Sequence, residues 1–222
     1  MGIAERRERE KEQRQKDIVD AAERVFFSRG FNNATMDEVA EEAELSKGTL
    51  YLYFQNKIDL YHAIVCRGMD VLFDLFDKAS AGLNTGLEKI EAIGRAYLAF
   101  FRQQPNYFNA LLHQEIQQIE EQDIRNNPYI LQCQEKGNRI FGLIQDAVRQ
   151  GIEDKTIRPD VDPVMVSIIL WGHSTGILQI MKSKGEMLEK LMGIRQDDTI
   201  AYAFGLMKAY LQNGQRAEEK KK

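Results

Sequence analysis

Apolar positions recur every three or four residues along most of this chain, which is the spacing of one helix face and not the alternation of a strand. Ile18, Ala21, Ala22, Val25 and Phe26 make one such face, in a helix expected to start near Lys11 after a charged, frayed arm at residues 1–12. Gly30 ends it, and Phe31 is the apolar residue that usually follows a glycine cap. Thr35-Met36-Asp37-Glu38 has the form of a capping box, with Met36, Val39, Ala40 and Ala43 facing inward over a short second helix that ends near Glu44. Ser46 caps a third helix, and Leu45 and Leu50 are placed to staple its start. Asn56 caps a fourth, reaching about Ser80 and lined by Leu60, Ile64, Val71, Leu72 and Leu75. Pro105 stops a fifth helix that begins near Thr85, a sixth covers Asn106 to about Glu121, and Pro128 opens a seventh that reaches about Asp154. Asp162-Pro163 opens an eighth, with proline in its favoured first position, and a ninth spans about Asp197 to Gln212 before a tail expected to be disordered. The expected fold is all-α, a small three-helix module at residues 1–60 joined through the fourth helix to a larger helical domain at 61–222.

Composition adds limits to that picture. With 43% hydrophobic and 29% charged residues the chain reads as soluble and globular. A net charge of −4 gives no general attraction for nucleic acid, so any such role must rest on local geometry. Cys66 and Cys133 lie outside any CxxC pattern and are expected as free thiols in a reducing cytoplasm. The N-terminus, MGIAERREREKEQRQK, has no apolar core of a signal peptide. Residues 163–181, PVMVSIILWGHSTGILQIM, carry no Asp, Glu, Lys or Arg and are long enough to span a bilayer. The polar Ser167, His173, Ser174, Thr175 and Gln179 argue instead for a helix buried on all sides in a protein without a membrane role.

The stretch Leu45 to Ile58, LSKGTLYLYFQNKI, holds no acid in a chain with 34 Asp and Glu. On a helical wheel Leu50 and Phe54 point to the core, which leaves Gly48 and Leu52 outward, flanked by Thr49 and Tyr51. A glycine inside a helix costs about 1 kcal/mol relative to alanine. That cost has a reason if the face is pressed against a duplex. Gly48 admits a close backbone, Leu52 and the Thr49 methyl reach thymine methyls, and the Tyr and Lys side chains reach phosphates. A short helix, a tight turn and a second helix with such a face is the helix-turn-helix layout. The competing reading is a helical ligand-binding or enzymatic protein whose third helix packs on the rest of the chain. Residues 1–60 hold 10 Lys and Arg against 13 Asp and Glu, a net of −3 that weighs against long-range attraction to DNA.

The segment TMDEVAEEAELSKGTLYLYFQNKIDL, with FFSRGFNNAT before it, resembles the DNA-binding signature of the TetR (tetracycline-repressor-like) family of bacterial transcription regulators. The resemblance covers about residues 12–65 and rests on the Thr, the Ala-x-x-Ala pair, the Ser-Lys-Gly-Thr-Leu-Tyr core, Phe54 and Lys57. It implies a cytoplasmic homodimer that binds double-stranded operator DNA and is released by a small-molecule effector. The family's DNA contacts fall on Thr35, Ser46, Lys47, Gly48, Thr49, Tyr51, Tyr53 and Lys57. Leu52 departs from the aromatic residue or His frequent at its place, so the base preference it sets is its own.

Farther along, small residues recur four apart at Gly172 and Gly176, and again at Ala201, Gly205 and Ala209. Such spacing lets helices approach closely, either within one chain or across a two-fold axis, and the resemblance favours a dimer interface. Aromatic residues are dense at Tyr97, Phe100, Phe101, Tyr107, Phe108, Phe141 and Trp171, with His113, Glu115, Gln145 and His173 among them. An apolar cavity with a few polar groups is what a ligand site needs, although such residues are also ordinary core. Asp70, Asp74 and Asp77 share a helix face that is best read as solvated. There is no phosphate loop, nucleophile elbow or HExxH, so no catalytic residue, metal or cofactor is expected.

Overall fold

The computed structural model describes residues 2–116 and 127–214, and apart from one isolated bridge between Ile157 and Gln212 its regular elements are helices. They are α1 (Ile3–Arg29), α2 (Met36–Glu42), α3 (Lys47–Tyr53), α4 (Lys57–Ser80), α5 (Gly86–Gln103), α6 (Pro105–Ile116), α7 (Pro128–Glu153), α8 (Pro163–Met192) and α9 (Gln196–Leu211). The far end of the expected sixth helix and the tail beyond Gly214 lie outside the described residues. The chain forms two compact units, Met1–Asp70 with Asn106–Lys136, and Val71–Pro105 with Gly137–Lys222.

In the first unit, Ile18, Ala21, Ala22, Val25 and Phe26 of α1 are buried, as are Val39 and Ala40 of α2 and Leu50 of α3. Phe54, Leu60 and Ile64 are also fully enclosed. Gly30 ends α1 at φ +78°, a left-handed conformation that glycine takes at no steric cost, and its N–H donates to the Phe26 carbonyl at 2.8 Å. Phe31 then packs edge-on to Phe26, with centroids 6.1 Å apart. The expectation of a frayed arm at residues 1–12 is corrected, because α1 already begins at Ile3. That segment is rich in Glu, Arg, Lys and Gln, which are good helix formers, and extending a helix already nucleated costs little. The Glu5 carboxylate takes the Gly2 N–H at 3.0 Å, and Arg6 donates to Glu10 one turn on at 2.8 Å.

In the second unit, Leu87, Val148, Ile157, Val166 and Leu211 make a core cluster. A Cβ on Gly86 would lie 2.0 Å from the Gly151 nitrogen, so α5 and α7 cross with their main chains in contact. Asp162 caps α8 by accepting from the Met165 N–H at 2.8 Å, and Gly193 closes it at φ +66°. Among the described helices only α8 is long and apolar enough to cross a membrane, with mean hydropathy 1.5 over its most apolar window. It is not buried on all sides as expected, since only 33% of that window is enclosed by its own chain. Met165, Ile168, Ile169 and Ile180 stand exposed, and so do Tyr202, Leu206 and Tyr210 of α9.

Candidate nucleic-acid interface

The candidate surface is assembled by two caps and a turn. Thr35 and Glu38 close a reciprocal box at the start of α2: the Thr35 N–H donates to the Glu38 carboxylate at 2.9 Å, and Glu38 N–H to the Thr35 hydroxyl at 3.3 Å. At the other end the Leu45 N–H reaches the Ala40 carbonyl at 2.9 Å and the Glu44 N–H the Glu41 carbonyl at 3.0 Å. That pairing is a Schellman cap, and it puts Glu44 at φ +54°, where glycine is the usual residue. The turn then delivers Ser46, whose hydroxyl oxygen accepts the Thr49 N–H at 3.1 Å and lies 2.8 Å from the Thr49 hydroxyl.

With Leu50 and Phe54 anchored inside, α3 turns the opposite side to solvent. Leu52 is 84% exposed, and Tyr51 is exposed beside it. Outside the local helix backbone a Cβ on Gly48 would meet nothing nearer than the Ser46 hydroxyl at 3.9 Å, so no other described residue requires a glycine there. Lys47 is exposed and ion-paired at 2.6 Å to Asp37 in the first turn of α2. Thr49 and Tyr53 are half-buried, while Thr35 and Ser46 are exposed.

Lys57, expected at a phosphate, is engaged within the chain. Its ammonium donates to the carbonyls of Phe31 at 2.8 Å, Ala34 at 3.0 Å and Asn32 at 3.4 Å, and lies 4.5 Å from the centre of the Phe31 ring. These carbonyls belong to the loop after α1, whose orphan acceptors need donors. The lysine is thereby a cap for that loop.

The sequence reading also missed a support behind α3. Tyr129, in the first turn of α7, donates its hydroxyl to the Tyr53 carbonyl at 3.2 Å, accepts from Gln15 at 3.1 Å and stacks on Phe54 with centroids 5.3 Å apart. Burial pushes the Tyr129 hydroxyl up from its usual pKa. Asn127 donates to the buried Asp59 carboxylate at 2.5 Å. No local pattern marks these residues, because their partners lie more than sixty positions away.

The residues expected around a ligand are distributed over both units. Phe108 is buried in the first unit, and His113 packs there on Phe31 and Tyr61, with centroids 5.5 and 5.7 Å away. Tyr97 is buried in the second unit, its hydroxyl 2.8 Å from that of Thr175. Phe141 and Trp171 meet edge to face at 5.2 Å, and Gln145 accepts from Arg149 at 3.2 Å. Phe101 is half-buried and His173 exposed, while the Glu115 side chain lies outside the described residues. Asp70 of the acidic face is ion-paired to Lys136. Gly172, Ala201, Gly205 and Ala209 are exposed and Gly176 half-buried. Beyond the helix's own backbone and the chain neighbours, no atom of the described residues lies within 4 Å of a Cβ built on Gly172, Gly176 or Gly205, so their small size is not needed for a crossing among those residues.

Residues 18–64 match the family model for bacterial regulatory proteins of the tetR family, and residues 90–187 match that for the tetracyclin repressor-like C-terminal domain. The chain is similar to the uncharacterized HTH-type transcriptional regulator YhgD of Bacillus subtilis, 26% identical over 202 residues that cover 90% of this chain and 96% of that one. It also resembles the HTH-type transcriptional activator FasR of Mycolicibacterium smegmatis, 34% identical over 41% of this chain and 40% of FasR. In fold it is similar to AibR in complex with isovaleryl coenzyme A and operator DNA, at TM-score 0.65 and 21% identity over 87% of this chain and 97% of that one. It is likewise similar to FadR from Bacillus subtilis in complex with stearoyl-CoA, at TM-score 0.70 and 16% identity over 89% and 99%. Matched in both its reading module and its C-terminal domain, the chain belongs to the tetR family of bacterial regulatory proteins, a family of DNA-binding transcription regulators and not of enzymes.

Proposed function

We propose that this protein is a cytoplasmic homodimeric repressor that lays α3 of each subunit into the major groove of a roughly palindromic operator and is released by a small apolar or amphipathic effector. The observation that carries the reading is the outward side of α3. Its exposed Leu52 and its unneeded Gly48 make no sense as a solvated surface and good sense as a groove contact. Ser46, Lys47, Thr49, Tyr51 and Tyr53 flank that contact, and Thr35 sits at the N-terminus of α2, where backbone N–H groups favour a phosphate. The exposed apolar side of α8 and α9, with Gly172, Gly176, Ala201, Gly205 and Ala209 along it, suits an isologous interface between two copies.

Release works as a population shift, in which the effector prefers a conformer whose two reading helices miss the spacing of about 34–36 Å between successive half-sites. Acyl-CoA thioesters are the first effectors to try, because two proteins of similar fold bind them. Tyr97, Phe101, Phe141, Gln145 and Trp171 are the lining candidates of the second unit. Trp171 is the only tryptophan, so its fluorescence reports directly on occupancy. The test is anisotropy of a labelled fragment of the protein's own promoter, with and without isovaleryl- and stearoyl-CoA. Salt-dependent binding that these ligands weaken, with matching changes in Trp171 emission, supports the reading. Binding that is absent at low salt removes the DNA role.

A further inference from the structure

The chain's two cysteines are 67 positions apart, yet the fold brings their sulfurs to 2.7 Å inside the first unit. Cys66 sits on α4 and Cys133 on α7, and they are only 5% and 2% exposed. Cys133 Sγ donates to the His62 carbonyl at 3.3 Å, and Cys66 Sγ approaches the Tyr129 carbonyl at 3.7 Å. We infer that Cys66 and Cys133 are a reversible dithiol–disulfide pair, a redox modification site that ties α7 to α4 behind the reading helix.

The geometry asks for little movement. A disulfide has an S–S length of about 2.05 Å, so the two sulfurs need to close by less than about 1 Å. A cystine needs no hydrogen-bond partner and is readily accommodated where two thiols already meet. The oxidant class is a small hydroperoxide, hydrogen peroxide being the simplest, because a small reagent reaches enclosed sulfurs most readily. One thiolate attacks a peroxide oxygen, the O–O bond breaks, and water and a sulfenic acid result. The second thiol then attacks the sulfenic sulfur, the S–O bond breaks, and a second water leaves with the thiol proton. Two thiols and one peroxide thus give one disulfide and two waters. The sulfurs lose two electrons and the peroxide oxygens gain them.

The consequence follows from what surrounds the pair. Tyr129, whose carbonyl lies against Cys66, stacks on Phe54 and holds the Tyr53 carbonyl at the end of α3. Its hydroxyl also takes the Gln15 amide of α1. Closing the bridge fixes the first two turns of α7 against α4, and with them the support of the reading helix. A regulator that works by exchanging conformers of this unit therefore changes its DNA affinity when the bridge forms. That regulatory half rests on the DNA-binding reading above.

The experiment treats the reduced full-length protein with hydrogen peroxide, removes the peroxide, unfolds the chain in denaturant with N-ethylmaleimide present and measures intact mass and free thiols. The expected product has lost both thiols and the mass of two hydrogen atoms, runs as a single chain without reductant, and returns to the dithiol with dithiothreitol. It also unfolds at a higher temperature, because tying distant positions restricts the unfolded chain. Affinity for the promoter fragment shifts by about fivefold or more on oxidation and recovers on reduction, the scale of coupling between linked sites. Cys66→Ser and Cys133→Ser each bind DNA as the reduced protein does and no longer respond to peroxide. Two unreacted thiols, cross-linked chains, or mass gains of whole oxygen atoms overturn the pairing. A proven intrachain disulfide with equal DNA affinity overturns the regulatory half. Failure of the reduced protein to bind any promoter DNA counts against the DNA-binding reading and leaves the thiol result standing.

Discussion

Lys57→Ala separates two roles for one lysine. If the side chain contacts a phosphate, its loss leaves stability alone and makes log affinity less steep in log salt by about 0.9. The structure gives it other work: three carbonyls of the loop after α1 converge on the ammonium, which also lies over the Phe31 ring. A hydrogen bond to a charged group contributes about 1.5–3 kcal/mol, and a partly exposed cation–π contact about 0.5–1. The contributions do not simply add. The Asn32 bond is long and exposed, and water replaces part of what is lost. A net cost of about 2–3 kcal/mol follows, which for a chain of this length lowers the unfolding temperature by roughly 4–12 °C. Urea or thermal unfolding measures that loss, and promoter-fragment titrations at several salt concentrations measure the slope. Lys57→Ala is expected to be destabilised with its salt slope unchanged. Lys57→Arg keeps the charge but not the compact point donor, and should recover only part of the stability. Unchanged stability with a shallower slope would refute the reasoning and return Lys57 to the duplex.

Gly48→Leu is expected to leave the fold intact, and even to gain up to about 1 kcal/mol of helix propensity, while abolishing specific DNA binding, as circular dichroism and anisotropy will show. Gly176→Leu and Gly205→Leu meet open space in one chain, so sedimentation should find folded monomer where the wild type is a dimer; unfolded variants would place the glycines in the chain's own core. Burial holds the His62 imidazole below its ordinary 6.5, so the unfolded chain takes that proton first; stability is full above that value and falls as the pH drops below it, until the folded site itself protonates. The slope is at most about 1.4 kcal/mol per pH unit and should vanish in His62→Gln when urea midpoints are compared across that range. Asp37→Asn frees Lys47 from its 2.6 Å ion pair and removes an acid from the start of α2, so DNA affinity should rise, at a stability cost of about 0.3–1 kcal/mol. A fall in affinity would show that Lys47 does not reach the duplex.

The helices were legible because their signals are local. The Thr35–Glu38 box, the Ser46 cap, Gly30 and the prolines each act within one turn, and the structure realises the first two with the hydrogen bonds that the residue types imply. Leu50 and Phe54 were placed correctly because a helical wheel needs only one anchored residue to fix the rest. What failed to show was whatever depends on distant partners. Lys57 looks like a phosphate ligand until the loop carbonyls of residues 31–34 arrive beside it. Cys66 and Cys133 look unrelated until α7 is laid on α4, and Tyr129 has no motif at all. The aromatic residues at 97–171 share a composition, but nothing in their spacing states which of them meet.

Helix α8 departs from its sequence expectation for a different reason. A nineteen-residue run without charge reads as a helix enclosed by its own chain. In the structure its inward side holds Ser167, Ser174 and Thr175 along with Val166, Leu178 and Met181. Ser167 donates to the Pro163 carbonyl at 2.6 Å, and the Thr175 hydroxyl lies 2.8 Å from that of Tyr97. Over residues 163–181 the outward side carries Met165, Ile168, Ile169 and Ile180 beside His173 and Gln179, so both sides of that stretch are largely apolar. An ordinary surface helix is polar on its outward side. Composition cannot tell a helix covered by one chain from a helix covered half by its own chain and half by another, since both require apolar residues all round. Exposed apolar patches of this extent mark interaction surfaces, and here Tyr202, Leu206 and Tyr210 of α9 add a second unpartnered face in the same unit. A self-complementary surface built from both helices hides these residues on each copy at once, which an isologous two-fold contact achieves with no further partner.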